Sequence, residues 1–442
     1  MEIRLGDHFT YGKLLRFTAP SIAMMIFTSL YGVVDGIFVS NFVGKTSFAA
    51  INLIMPFLMM FGALGFMVGT GGSALVAKTL GEGDRERANG LFSMLIWLSL
   101  VVGAVLAVSG ILLMRPIAML LGARGQMLED CVTYGCILQL ALPAFVLQNE
   151  FQSFLITAER PKLGLWVTVA AGVTNIVLDA LFIAVLDWGV VGAAAATTIS
   201  QLVGGVMPLM YFLSPNRCCL KLTRPIFDGK ALVKTCTNGS SELMTNLSMS
   251  LVNMLYNVQL MRFAGEDGVA AYGVIMYVNF IFISVFLGYA IGSAPIVGYH
   301  FGADNPTELK NLFRKSLWIM GGLSVALTVL ALMLARPLST VFVGYDPTLL
   351  SMTRRAFAIY AISFLMTGVN IFGSSFFTAL NDGLVSAAIS FLRTMVFQVL
   401  AVFVLPLLWE LDGVWFSIVV AELLALGVTV FCFARFKGKY RY

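Results

Sequence analysis

Twelve apolar runs, each long enough to cross a bilayer, leave this 442-residue chain little freedom of fold. They cover residues 15–40, 48–77, 91–114, 131–157, 163–186, 190–213, 231–262, 269–299, 312–334, 352–380, 384–408 and 413–434. About 20 helical residues cross the roughly 30 Å of hydrocarbon. Backbone there must satisfy its own hydrogen bonds, so the runs are read as helices. Composition agrees, with 59% hydrophobic and 12% charged residues against about 25% charged in a soluble domain. Mean hydropathy is +0.90. The expected class is an all-α integral membrane protein. The net charge of +5 is too small and scattered for a nucleic-acid surface, so no nucleic-acid partner is expected.

Basic residues set the orientation. With the N-terminus inside, 20 of the 28 Lys and Arg fall in inner segments, among them Lys78, Arg85, Arg87, Arg160, Lys162, Arg217 and Lys221. Seven fall outside and Arg393 lies within a run. Both termini are expected in the cytoplasm and the chain in the cell's inner (plasma) membrane. The charged start MEIRLGDHFTYGKLLRF precedes an apolar run too long for a signal-peptide core, so no cleavable signal is expected. The six cysteines form no CxxC, and with two histidines a structural zinc site is not expected. Cytoplasmic placement of Cys218 and Cys219 predicts free, reduced thiols.

Sliding the chain by 221 residues aligns its halves. LVAKTLGEGDRERANGLF (75–92) falls on IVGYHFGADNPTELKNLF (296–313), Trp97 on Trp318 and Arg115-Pro116 on Arg336-Pro337. Asn149, Phe151, Ser153, Thr157 and Ala158 fall on Asn370, Phe372, Ser374, Thr378 and Ala379. Six spans per half is an even number, so both halves enter the membrane in the same direction. Parallel repeats of this kind are related by an axis along the membrane normal, with a shared central cavity. The expected organisation is a first lobe over 1–213, a cytoplasmic linker over 214–230 and a second lobe over 231–442. That architecture suits alternating access, and a monomer is expected.

Several motifs carry no chemistry. GKT at 44–46 lacks the first glycine of a phosphate-binding loop, since position 39 is Val39. GTGGSA (69–74) lies inside a span with no strand before it. Neither HExxH nor GxSxG occurs, so no enzyme and no cofactor are expected. What remains are ionisable residues inside spans, each costing about 2.5–3.5 kcal/mol at a helix centre: Asp35, Glu150, Asp179, Glu242, Arg393 and Glu422.

Helical rise sorts them by depth. Asp35 lies about 15 Å below the outer surface, Asp179 about 12 Å and Thr197 about 15 Å. Asn175 shares a helix face with Asp179, and Tyr134 begins the fourth span in the same leaflet. Oxygen ligands of this kind suit Na⁺, and two adjacent carboxylates suit a proton. The alternative is that the acids only tie helices together, and that Tyr134 is an interfacial tyrosine. The second half has no matching pair, since Tyr256 and Leu400 stand 221 residues after Asp35 and Asp179. There Glu242 and Arg393 are expected either to pair with each other or to line the cavity, while Glu150 and Glu422 are weaker cavity candidates. The 35 Phe and 23 Met fit an adaptable apolar pocket as well as lipid-facing packing.

DGIFVSNFVG…AAINLIMP (35–56), GEGDRERA (81–88), NIVLDALFI…WGVVGAAAATTISQ (175–201) and NGSSELMTN (238–246) resemble the MATE family of multidrug and toxin extrusion transporters along essentially the whole chain. The resemblance implies twelve spans in two six-helix lobes and export of small amphipathic, often cationic compounds in exchange for Na⁺ or H⁺. It further implies that Asp35, Asn175, Asp179 and Thr197 form the cation site of the first lobe. Glu242 matches an acidic position that other branches use in the second lobe. Their partner acid on span 10 is absent, and Asn370 is the nearest polar group. The expected function is therefore cation-coupled drug antiport, with membrane lipid as surroundings. The first rival is a flippase for polyprenyl-linked glycan precursors, which calls for several arginines facing the cavity. A membrane-embedded enzyme or receptor is the second, and it lacks any supporting motif.

Overall fold

The computed structural model describes residues 3–215, 218–344 and 346–442; Arg217, counted above among the inner basic residues, lies outside them. Every apolar run is helical, and among the described residues there is no strand. Spans 1–3 are Tyr11–Phe42, Lys45–Gly81 and Arg85–Leu120. Span 4 is two helices, Gln126–Leu140 and Leu142–Thr157, bent by 59°. Span 5 is Pro161–Asp179 extended by a π turn at Ala180–Val185, and span 6 is Gly189–Leu213. Helix Gly229–Gly302 supplies spans 7 and 8, and Pro306–Val343 is span 9. Span 10 is Pro347–Ile362 and Phe364–Ala379, bent by 44°. Span 11 is Gly383–Phe391, the π turn Leu392–Val396 and Phe397–Val404, and span 12 lies within Pro406–Tyr440.

Local chemistry explains the breaks. A straight helix of 74 residues would run about 110 Å, far more than a bilayer. It reverses instead at Gly265, whose φ of +61° suits a residue without a Cβ. Across the reversal Tyr272 OH donates to Asn253 Oδ1 at 2.7 Å, and the Tyr256 and Tyr272 rings stack 5.2 Å apart. The bends in spans 4 and 10 fall at equivalent places in the two halves. Pro143 sits just past the first, where it cannot donate to the preceding turn. At the second, the Ser363 hydroxyl donates to Tyr360 O at 2.7 Å, a local bond that competes with the helix ladder.

Spans 1–6 and 7–12 form two lobes, the arrangement expected from the repeat, and they meet where spans 1 and 2 pack against spans 7 and 8. Apolar side chains such as Leu120 (86%) and Val341 (79%) stand exposed on the outer surface, as suits helices surrounded by lipid. The seam is tight from the end that carries both termini to about mid-span, where a Cβ on Gly288 would lie 2.4 Å from Ile22 Cα. A Cβ on Gly81 would lie 2.0 Å from Tyr299 O, and one on its repeat partner Gly302 would lie 2.0 Å from Lys78 O. Gly71 and Gly239 make the same kind of approach to Thr235 O (2.1 Å) and Met67 O (1.9 Å). The N-terminal segment crosses this end. Leu5 N–H donates to Glu159 Oε1 of the first lobe at 2.7 Å, and Phe9 N–H to Glu308 Oε1 of the second at 2.9 Å. Toward the other end the lobes part around an open cleft of about 900 Å³ lined by Asn52 and Pro56 on one side and Asn253, Met254, Asn257 and Met261 on the other.

Candidate functional site

Polar side chains gather in each lobe, and the two gatherings differ in chemistry. In the first lobe span 5 presents Asn175 and, one turn on, Asp179, both buried (3% and 0% exposed). The helix then widens: Leu186 N–H reaches back five residues to Leu181 O at 2.9 Å. π turns of this kind are frequent at functional sites. Span 1 brings Asp35 into reach of both Asp179 and Asn175. Span 4 adds Tyr134, buried beside Thr197, Asp35 and Asp179. Thr197 spends its proton on Ala193 O at 3.0 Å, so its oxygen is left to accept. The depth count therefore brought five residues from four helices to one place.

Sequence reasoning missed two members of this cluster. Tyr31, one turn before Asp35, lies between that carboxylate and Gln148 of span 4. Helical spacing from Asp35 was the signal that could have found it.

Several polar atoms of the cluster lack a hydrogen-bond partner. Asp35 Oδ1, both Asp179 carboxylate oxygens and Gln148 Oε1 are buried without a partner, and so is Asn175 Nδ2. Buried polar groups are otherwise almost always paired, and an unpaired one costs on the order of 1–3 kcal/mol. Two carboxylates in a dry, oxygen-rich setting can resolve this in two ways. They can share a proton, because like charges at short range cannot both ionise, or they can surround a hard cation.

The second lobe holds a cavity of about 290 Å³. Its polar wall comes from spans 7, 8, 10, 11 and 12 and includes Glu242, Tyr256, Asn279, Tyr360, Arg393 and Glu422. Methionines 25, 249 and 276 add flexible apolar wall. Tyr256, the repeat partner of Asp35, buries a hydroxyl with no hydrogen-bond partner, and Asn279 Oδ1 is likewise unpartnered.

Charge pairing here decides between the alternatives left open by sequence. Arg393 does not pair with Glu242. From its π turn it donates through Nε to Glu422 Oε1 and Oε2 at 2.8 and 3.1 Å. Asn370 Nδ2 completes the clamp by donating to Glu422 Oε2 at 2.8 Å and Glu422 O at 3.0 Å, and Thr429 donates to Asn370 Oδ1 at 3.1 Å. Glu422, treated as a weak candidate, is the centre of this network. The signal was available, since an arginine this deep needs an anion. Asn370 stands behind the wall and holds Glu422 rather than facing the cavity. Glu242 does face it, with Arg393 in electrostatic reach and no hydrogen bond to it.

Glu150 corrects another expectation. It faces none of the cavities described and is fully buried between spans 2 and 3, with Ser99 in reach and Gly69 packed on its backbone. Both its carboxyl oxygens lack a partner. None of the six cysteines is joined in a disulfide.

Comparison with known proteins fits this geometry. The MatE family profile matches the chain twice, over residues 20–181 and 243–404. The multidrug export protein MepA of Staphylococcus saprophyticus is 24% identical over 412 residues, spanning 92% of this chain and 90% of that one. MepA of Staphylococcus haemolyticus is 23% identical over 423 residues, spanning 95% and 92%. Among solved structures, a MATE in complex with MaL6 superposes with a TM-score of 0.93 at 24% identity, covering 98% of both chains. An outward-facing multidrug resistance MATE family transporter of the MOP superfamily superposes with 0.92 at 24%, covering 98% of this chain and 97% of that one.

Proposed function

This chain belongs to the MatE family, and we propose that it is an antiporter that exports small amphipathic, often cationic compounds in exchange for Na⁺ or H⁺. The observation that carries the reading is the pairing of half-buried Asp35 with buried Asp179, which have three buried, unpartnered carboxylate oxygens between them. A cation or proton entering there neutralises the pair and relieves its desolvation. The names of the staphylococcal relatives, both multidrug export proteins, support the direction of transport and the class of cargo.

The substrate occupies the second-lobe cavity, with Glu242 facing its charge and the tyrosines its apolar body. The distribution of basic residues supports a cytoplasmic position for the closed, terminus-bearing end, and on that reading the cleft opens outward. The protein then works as a monomer in the inner (plasma) membrane. In that state the cation enters from outside, binds Asp35, Asn175 and Asp179 with Thr197 and Tyr134 beside them, and shifts span 1. Met25 and Ser29 of that span line the substrate cavity, so the shift alters the wall and weakens substrate binding. Coupling of this kind is reciprocal, and its size is the difference in affinity between the two states.

A glycan-pyrophosphate flippase is disfavoured by the charge state of the cavity. The arginine on its wall is paired with Glu422, and Glu242 beside it is an acid and not a further base. Efflux of ethidium from proteoliposomes under an imposed Na⁺ gradient, and separately under a pH gradient, tests the proposal. One gradient should drive export, and Asp35→Asn should abolish the driven component. Export by Asp35→Asn at the wild-type rate would sink the coupling role.

A further inference from the structure

The linker between spans 6 and 7 carries the adjacent cysteines Cys218 and Cys219, and it is fastened along the first lobe. Lys221 N–H donates to Asn89 Oδ1 (2.9 Å), Thr223 N–H to Ser93 Oγ (2.8 Å) and Ile226 N–H to Gly90 O (3.2 Å), all in the first turns of span 3. The two thiols pin the preceding stretch to the end of span 4. Cys218 Sγ donates to Ala158 O at 3.0 Å and Cys219 Sγ to Thr157 O at 3.6 Å. These are carbonyls of a helix C-terminus, where intrahelical donors run out. The chain turns away at Glu159 with φ +61°.

The pair also has the asymmetry of an attacking and a resolving thiol. Contact with the neighbouring Cys219 side chain holds the Cys218 thiol below its usual range against the effect of burial, and the Leu220 amide and Arg160 guanidinium act in the same direction. The same contact pushes Cys219 up. Cys218 is 7% exposed, and Cys219 is half-buried. A thiolate beside a cationic side chain is the form that attacks disulfides.

We infer that Cys218-Cys219 is an oxidation site that closes to a vicinal disulfide, with a low-molecular-weight disulfide as oxidant, and thereby unpins the linker from span 4. The inference is independent of what the protein transports. The Cys218 thiolate attacks one sulfur of the oxidant, forming a mixed disulfide and expelling one thiolate, which takes up a proton. The Cys219 sulfur then attacks Cys218 Sγ, its proton passing to the second departing thiolate. Two cysteine thiols are oxidised to one disulfide, and the oxidant is reduced to two thiols. Both S–H donors disappear, the sulfurs are drawn toward each other, and the Thr157 and Ala158 carbonyls lose the contacts that hold the linker.

The test uses the full chain in lipid nanodiscs exposed to oxidised glutathione. The tryptic peptide Cys218–Lys221 should lose two hydrogens and regain them with a reductant. Amides of residues 220–226 should exchange about twofold faster or more, the low end of losing one hydrogen bond. Cys218→Ser and Cys219→Ser each keep a hydroxyl donor, and neither should lose the two hydrogens. A stable glutathione adduct without ring closure, oxidation confined to the other cysteines, or ring closure with unchanged exchange would each overturn the inference.

Discussion

Replacing Gly302 by alanine should open the closed end of the seam, and the geometry sets the size of the effect. The new Cβ would lie 2.0 Å from Lys78 O, whereas ordinary contact begins near 3.4 Å. The shortfall of about 1.4 Å falls on backbone from both helices, which cannot swing aside as a side chain can. Overpacking of this kind costs roughly 1–3 kcal/mol. When the lobes part at this end the contact is gone, so the whole penalty falls on the state seen here. Each 1.4 kcal/mol is about a tenfold change in the ratio of states, so the shift is about 5- to 150-fold away from this conformation. Gly81→Ala strikes the partner contact with Tyr299 O, and the double variant should shift less than the sum because the two sites share a seam.

Spin labels at the exposed positions Lys162 and Lys310, one on each lobe at this end, report the separation in a background cleared of native cysteines. The expected result is a longer, broader distance distribution for Gly302→Ala, with thermal stability largely retained. Gly321→Ala and Gly427→Ala are controls, because a Cβ there meets nothing within 4 Å. An unchanged distribution in a folded Gly302→Ala protein would refute the reasoning, because the seam would then tolerate a methyl group where no space exists.

Three further outcomes follow from particular side chains. Glu422→Ala leaves Arg393 unpaired in a low-dielectric site and should cost about 3–5 kcal/mol of stability, read as a fall in unfolding temperature; the double variant Arg393→Met/Glu422→Met should recover most of it. Glu242→Gln removes the facing negative charge, so affinity for a monocationic substrate should fall about tenfold or more while that for a neutral analogue of similar shape holds, as ligand titration would show. Asp228 caps span 7, and its carboxyl sits below the usual range because of the Ala231 amide, with burial opposing and the Lys230 amide and Arg87 assisting. Its contribution is present above the unfolded-state value and lost as pH falls through the lowered one, so Asp228→Asn should flatten the acid limb of a stability–pH profile.

The sequence by itself determined the spans, their number and the parallel repeat, because hydrocarbon admits only self-satisfied backbone and a helix rises by a fixed amount per residue. The same fixed rise placed Asp35, Asp179 and Thr197 in one layer. The 221-residue repeat gives Asp35 a tyrosine, Tyr256, as its counterpart, which is why the two lobes differ in chemistry. Depth along a helix is one-dimensional and can be counted.

Rotation about the helix axis is another matter. In a soluble helix an apolar stripe marks the inner face, but lipid tails are as apolar as a protein core, so that signal is missing here. Only the tertiary structure could decide that Arg393 turns to Glu422 and not to Glu242, that Asn370 stands behind the cavity wall, and that Glu150 faces a neighbouring helix. The larger choice, a seam closed at the terminus-bearing end and open at the other, depends on how two rigid lobes tilt against each other. Gly81 and Gly302 permit that closure by letting backbones touch, yet a glycine in the sequence does not say which backbone it will meet.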